Sequence, residues 1–211
     1  MREINKMILC DIGNTSVDIY DGETRTKSLA NDFDPMILDG EIYYVSVNAS
    51  FNERIRDYPN WHDLREYIDW EKYYSTMGID RIMVCEAVED GVIVDAGSAI
   101  TVDVMNEGVY RGGFISLGLR AAQEAYERLS PALDVSFNFE VDLTIMAKNT
   151  PDAITVGFLA PLIEKIESFG KPLYVTGGDA ILLSRFFTEA IVDEDLIFKG
   201  MKKLIEKGVK C

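Results

Sequence analysis

Two short stretches of this sequence carry residue types that handle phosphate. Asp11, Ile12, Gly13, Asn14 and Thr15 follow the apolar run Met7 to Cys10, and Asp95, Ala96, Gly97, Ser98 and Ala99 follow Val92 to Val94. In each, an aspartate at a predicted strand end precedes a glycine and then small residues, hydroxyls among them. Glycine lacks the Cβ that would keep a ligand off the backbone, so the N–H groups and hydroxyls of such a turn can donate to phosphate oxygens. The aspartate can hold a cation against those oxygens, directly or through water. Acid-glycine turns are common in β-rich chains, and either copy alone reads equally well as a plain reversal. Their repetition, in the same order of apolar strand, acid, glycine and hairpin, favours two turns that face each other as a phosphate clamp.

The elements that must carry these turns follow from hydrophobic periodicity. After the first turn, Val17 to Tyr20 reads as a second strand closed by a hairpin at Asp21 and Gly22, and after the second, Ile100 to Met105 is closed at Asn106 to Gly108. Arg81 to Glu89 has helical spacing, and Leu119 to Leu129 predicts a helix stopped by Ser130 and Pro131. Thr150 followed by Pro151 predicts a helix start with a hydroxyl cap, running toward Gly170 with a kink at Pro161. Leu173 to Val175 is a short buried strand that ends in Thr176, Gly177, Gly178 and Asp179, where another helix begins. That glycine pair leaves backbone room for a flat ring or a phosphate, although a tight left-handed turn explains it equally well. Leu196 to Lys207 closes the chain as an amphipathic helix. Hairpins followed by helices, twice over, predict a mixed sheet with packed helices in each of two halves.

Composition narrows the chemistry. The chain has 211 residues, 47% of them hydrophobic, enough for two lobes of about 100 residues each. Its 36 acidic residues outnumber 21 lysines and arginines, for a formal charge of -15; nucleic acid and anionic membranes are repelled, and a small molecule or a protein is the expected partner. The apolar run at the amino terminus is too short for a signal peptide core and no stretch approaches the roughly 20 apolar residues of a membrane span, so the expected compartment is the cytoplasm. Cys10, Cys85 and Cys211 form no CxxC pair; the first two read as buried thiols and the last as a tail residue. The single histidine, His62, has no serine or cysteine nucleophile near it in sequence, which removes most support for a hydrolytic triad or a histidine zinc site.

Asp11–Thr15 (DIGNT), Gly78–Arg81 (GIDR), Asp95–Thr101 (DAGSAIT), Gly112–Gly118 (GGFISLG) and Thr176–Ala180 (TGGDA) occur in this order. Together they resemble the actin-like ATPase superfamily and, within it, the type III pantothenate kinases, from the first strand to the last helix. The resemblance implies an α/β fold of two ribonuclease H-like lobes, each a mixed β-sheet flanked by helices, divided at 1–88 and 89–211. It implies ATP-dependent phosphorylation of pantothenate to 4'-phosphopantothenate, the first step of coenzyme A synthesis. Asp11, Ile12, Gly13, Asn14 and Thr15 would form the first phosphate loop, with Asp11 near Mg2+. Asp80 matches the proton acceptor on the pantothenate hydroxyl, and Gly78, Ile79, Arg81 and Tyr74 match its substrate-contacting neighbours. Asp95 matches the ligand of a monovalent cation, K+ or NH4+. Ser98 matches a contact of ATP, and Gly177 and Gly178 line the nucleotide. Thr150 matches a substrate threonine that reaches pantothenate across a subunit interface, which implies a homodimer. The sequence departs from the family pattern at Ser98, where threonine is usual, at Leu117, where proline is usual, and at Asp18, where lysine or arginine is usual.

Two other readings stay open at this point. One keeps the fold and changes the acceptor to another small alcohol or a sugar. The other makes the chain a non-catalytic transcription accessory protein. From the residues alone, Asp80 and Arg81 read first as a helix cap and a surface charge, and it is the resemblance that turns the reading toward catalysis.

Overall fold

The computed structural model describes residues 7–170 and 172–208. It contains two compact units, one formed by residues 1–87 together with 195–211 and one by 88–194. In chain order the elements are β1 (Met7–Ile12), β2 (Ser16–Tyr20), β3 (Arg25–Leu29), β4 (Glu41–Ser46), α1 (Ala49–Ile55), β5 (Trp61–Asp63), α2 (Ile79–Ala87), β6 (Gly91–Ala96), β7 (Ala99–Asn106), β8 (Val109–Leu117), α3 (Leu119–Leu129), α4 (Thr150–Glu167), β9 (Leu173–Thr176), α5 (Ala180–Ser184), β10 (Ile191–Val192) and α6 (Leu196–Gly208).

The first unit is built on a five-stranded sheet of order β3-β2-β1-β4-β5. β1 and β2 pair antiparallel, as do β2 and β3, while β1–β4 and β4–β5 pair parallel. The period of two along β1 divides its side chains between the faces. Ile8, Cys10 and Ile12 join Val17, Ile19 and Ile42 in a core closed by Phe51 and Ile55 of α1 and by Trp61. On the opposite face Tyr20 stacks on Phe198 of α6, with ring centroids 5.5 Å apart. Cys10 and Cys85 are buried, as expected; Cys211 lies outside the described residues. His62 Nε2 meets Glu41 Oε2 at 2.7 Å, a hydrogen bond between neighbouring strands.

The second unit repeats the plan with order β10-β9-β6-β7-β8. β6–β7 and β7–β8 are antiparallel, and β6–β9 and β9–β10 are parallel. Val92, Val94, Ala96, Ile100 and Val102 face a core filled by α3, α4 and α5, including Ala122, Leu159, Ile163 and Leu183. Both expected hairpins and the expected helix Leu119–Leu129 are present. The helix cap differs from expectation: Asn149, not Thr150, caps α4, its side chain accepting from Asp152 N at 3.0 Å. An asparagine side chain reaches the amide three residues on without leaving extended backbone, so Thr150 becomes the first helical residue.

The division at 88/89 expected α6 in the second lobe, yet α6 belongs with the first unit. Lys207 Nζ lies 2.6 Å from Glu86 Oε2 of α2, and Gly200 sits so near Met83 that a Cβ there would be 1.7 Å from the Met83 carbonyl oxygen. These contacts join residues more than 100 positions apart, which no local pattern encodes. No described helix is long and apolar enough to cross a membrane.

Candidate active site

The first acid-glycine turn is the β1–β2 connection itself. Asp11 stands one residue before the end of β1 and pairs in register with Asp18. Gly13 N donates to Ser16 O at 2.9 Å, while Asn14 and Thr15 at the tip are exposed. The β4–α1 connection braces this turn from the parallel side. Val47 N donates to Ile12 O at 3.0 Å, and Asn48 Nδ2 donates to Gly13 O at 3.3 Å. The same Asn48 caps α1, its Oδ1 accepting from Phe51 N at 3.1 Å. One asparagine therefore fixes both the helix start and the turn. The sequence reading passed over it, although an asparagine just before a helical run is a capping signal.

The second turn is the same device with one residue fewer. Asp95 again precedes the last residue of β6 and pairs with Thr101 of β7, and Gly97 N donates to Ala99 O at 3.0 Å. β9 and the end of β8 enclose it. Asp95 pairs in parallel register with Thr176, so Gly177 follows directly, and Asp179 N donates to Ala96 O at 2.9 Å just as Val47 N does to Ile12 O. Gly177 has φ +91, and a Cβ on it would lie 2.4 Å from Asp95 Oδ1. A Cβ on Gly118 would lie 2.3 Å from Gly97 O and 2.5 Å from Ser98 O. Backbone thus closes on the turn from two sides where any side chain would intrude. Ser98 is exposed at the tip, and Gly178 is exposed too. Leu117 ends β8 opposite Ala99 as an ordinary strand residue.

These turns suit a phosphate-bound cation better than a cage of side chains. Among the described residues no group of three or more histidine, cysteine, aspartate or glutamate side chains is arranged to hold a metal. Magnesium is commonly held by one or two carboxylates together with substrate phosphates and water, which is what a single aspartate at each turn offers. Thr101 Oγ1, beside Asp95 in the sheet register, is buried without a hydrogen-bond partner; such an oxygen is suited to a water or a cation. The Cys10 thiol is no competitor as a reactive group, since burial and then the Asp11 charge push its pKa upward.

A third cluster forms at the start of α2. Asp80 lies in the first turn and its Oδ1 accepts from Arg81 N at 2.9 Å. Arg81 is only 5% exposed, so it is not the surface charge that a plain helix start would carry. Its guanidinium donates to the Tyr74 hydroxyl and lies 5.8 Å from the Tyr74 ring. Tyr73 is turned the other way, buried with its hydroxyl 3.0 Å from Glu86 Oε1. Tyr74 is thus the tyrosine grouped with Gly78, Ile79, Asp80 and Arg81. Thr150 is exposed at the start of α4.

Glu86 anchors this cluster from the far end of α2. Its side chain is 5% exposed, paired with Lys207 at 2.6 Å and within 3.8 Å of Lys72 Nζ. Burial alone would raise the carboxyl pKa, but the Lys207 hydrogen bond and charge, with Lys72 and Tyr73, hold it below the ordinary value of 4.5. A carboxylate whose folded pKa lies below its unfolded one stabilises the fold fully above the unfolded value, and that contribution disappears as pH falls through the folded one. The thermal midpoint of the wild type is therefore expected to fall faster than that of Glu86→Gln as pH drops below 4.5, with little difference in slope between neutral pH and that value. Parallel slopes in a thermal-unfolding series would remove Glu86 from this role.

With this geometry in hand, three comparisons with known proteins are informative. The family model described as "Type III pantothenate kinase" matches residues 62–171. A type III pantothenate kinase of Sulfurimonas denitrificans is 48% identical over 205 residues, covering 97% of this chain and all of the relative. A crystal structure of a conserved Campylobacter jejuni protein, assigned to the Baf family of transcriptional activators, superposes with a TM-score of 0.86 at 36% identity, over 97% of this chain and all of that one. The Clostridium difficile activator of 2-hydroxyisocaproyl-CoA dehydratase, solved with ADPNP, shares only the fold, with a TM-score of 0.53 at 12% identity over 98% of each chain. Two mixed sheets of identical order, each flanked by helices, are the actin-like ATPase architecture. The two acid-glycine turns stand at equivalent strand ends of that architecture, and the chain belongs to the type III pantothenate kinase family.

Proposed function

We propose that this chain transfers the terminal phosphoryl group of ATP to the primary hydroxyl of pantothenate, giving 4'-phosphopantothenate in the cytoplasm. The observation that carries the reading is 48% identity to a type III pantothenate kinase over nearly the full length of both chains, in a sequence that has Asp11, Asp80 and Asp95 within its motifs.

Phosphoryl transfer asks a protein mainly for alignment and charge neutralisation, because charge spreads over the oxygens of a loose transition state. Asp11 to Thr15, Ser98, Gly177 and Gly178 bind and orient the polyphosphate through backbone and hydroxyl groups. Mg2+ held near Asp11 and a monovalent cation, K+ or NH4+, held by Asp95 supply the positive charge when bound. Asp80 accepts the proton of the attacking hydroxyl. Arg81 and Tyr74, already joined to each other, bind the rest of pantothenate with Gly78 and Ile79. Thr150, exposed at a helix start, is available to a partner subunit, in keeping with a homodimer whose substrate site lies at or near the interface.

The deciding experiment follows ATP-dependent formation of 4'-phosphopantothenate by the purified protein, beside a panel of other small alcohols and sugars. Product only with another alcohol would change the acceptor. The Campylobacter jejuni structure's assignment as a transcriptional activator favours an accessory role as the second reading, and a chain that binds ATP but phosphorylates no alcohol would support it. Turnover is expected to be lost on chelation of Mg2+, and to fall sharply when K+ and NH4+ are both replaced by a bulky quaternary ammonium ion. Full activity after removing each ion in turn would count against the roles of Asp11 and Asp95.

A further inference from the structure

Asp18 poses an electrostatic problem beside the first phosphate turn. It is the antiparallel partner of Asp11, so both carboxylates project from the same face of the sheet. Side chains directly opposite each other in such a pair have Cβ atoms about 5 Å apart, and like charges there are unfavourable. A polyphosphate bound at the Asp11 turn, as the proposed function requires, would add more negative charge to the same place.

The sheet answers with two cations from β3. Arg25 Nε and Nη2 lie 3.0 and 2.9 Å from Asp18 Oδ1, and Lys27 Nζ lies 2.9 Å from Asp18 Oδ2. The carboxylate beneath them is 5% exposed. The two cations are not equivalent. Arg25 is further engaged, with Nη1 3.7 Å from Asp195 and its guanidinium 5.6 Å from the Phe198 ring. Lys27 is the cross-strand partner of Asp18, in the row that runs Asp11, Asp18, Lys27, and its side chain is 60% exposed. The ammonium is therefore the outward charge of this cluster, held on the face that Asp11 shares.

We propose that Lys27 is a phosphate-binding residue of the first turn and that Asp18 is its positioning residue, a carboxylate that holds the ammonium on the Asp11 side of the sheet. A lysine on an edge strand also discourages pairing with other chains, so the test must separate the two roles. It rests on nucleotide affinity, which the phosphorylation assay does not measure.

Calorimetric titration of the full chain with Mg-ATP, ADP and adenosine, without pantothenate, supplies the readout. Lys27→Gln is expected to weaken ATP about tenfold at low ionic strength, ADP less, and adenosine not at all, the loss shrinking as salt screens the charge. Lys27→Arg should keep most of the affinity. Asp18→Asn should weaken ATP by a smaller factor, and Asp18→Lys combined with Lys27→Gln should restore it, because the cation then stands one strand nearer Asp11. Wild-type ATP affinity in Lys27→Gln would overturn the inference and leave the lysine to edge protection. An equal loss for adenosine would overturn it too, as a general structural effect. If the wild type binds ATP yet forms no phosphopantothenate, the pantothenate reading falls and the Lys27 assignment is still decided by these titrations. A wild type that does not bind ATP overturns both.

Discussion

Asp80→Asn is expected to cut turnover by about 100-fold or more, the usual scale for removing a general base, while the protein folds and binds ATP as before. The substitution is close to isosteric, and an amide oxygen can still accept the Arg81 N hydrogen bond that Asp80 Oδ1 accepts at 2.9 Å. The Arg81–Tyr74 contact does not involve the Asp80 carboxylate, so the proposed pantothenate contacts are left in place. What disappears is the ability to take up a proton. The competing account gives Asp80 only a helix-start role, in which a carboxylate favours the positive end of the helix dipole by about 0.3–1 kcal/mol. That account predicts a slightly lower thermal midpoint and unchanged kcat, the reverse of the pattern expected here. Measuring kcat, KM for both substrates and the unfolding midpoint on one preparation separates them, and near-normal kcat would remove Asp80 from proton transfer.

The parts of this architecture that were legible in the sequence are the local ones. A hairpin is announced by alternation and a turn within a few residues, so β1–β2 and β6–β7 could be read directly, and with them the positions of Asp11 and Asp95. The helix Leu119–Leu129 was equally plain because Ser130 and Pro131 end it. Parallel pairing has no such signature. β4 was not recognised as the strand that lies beside β1, and with it Asn48, which ties the first turn to α1 through Gly13 O. In the second half the corresponding strand, β9, was recognised, because its Gly177 and Gly178 are unusual after an apolar run. The first half uses Ser46 and Val47 at that place, which look like ordinary strand residues.

Charge pairing was the other hidden layer. Asp18 read as the loss of a basic residue, because sequence alone does not reveal that β3 sets Lys27 opposite it. Glu86 and Lys207 are 121 positions apart, and neither is conspicuous among the many charges of an acidic chain. Each half ends in a strand followed by a helix, β5 then α2 and β10 then α6. Local order assigns α6 to the half that precedes it, whereas its buried face and Lys207 assign it to α2.

That assignment leads to the largest stability effect expected in this chain, from the addition of one methyl group. Gly200 lies where α6 crosses α2, and a Cβ there would fall 1.7 Å from Met83 O, 2.7 Å from Met83 C and 3.4 Å from Ala87 N. Those are backbone atoms of a helix, so no rotamer change relieves the overlap and α6 must move off α2. Alanine is the better helix former by about 1 kcal/mol, and if the helices were not in close contact Gly200→Ala would stabilise the protein. Overpacking of a tight core site typically costs 1–3 kcal/mol and occasionally more, and displacing the helix also strains the Glu86–Lys207 pair and uncovers Met201 and Leu204, which are 0% and 3% exposed. A net loss of about 3 kcal/mol corresponds to roughly 6–12 °C in the unfolding midpoint of a chain this size. Turnover should fall with it at temperatures where the variant is still folded, because α2 carries Asp80 and Arg81 at its other end. Gly200→Ser should behave alike, since the obstruction begins at Cβ, and a midpoint unchanged or raised in both variants would mean that the two helices do not cross at Gly200.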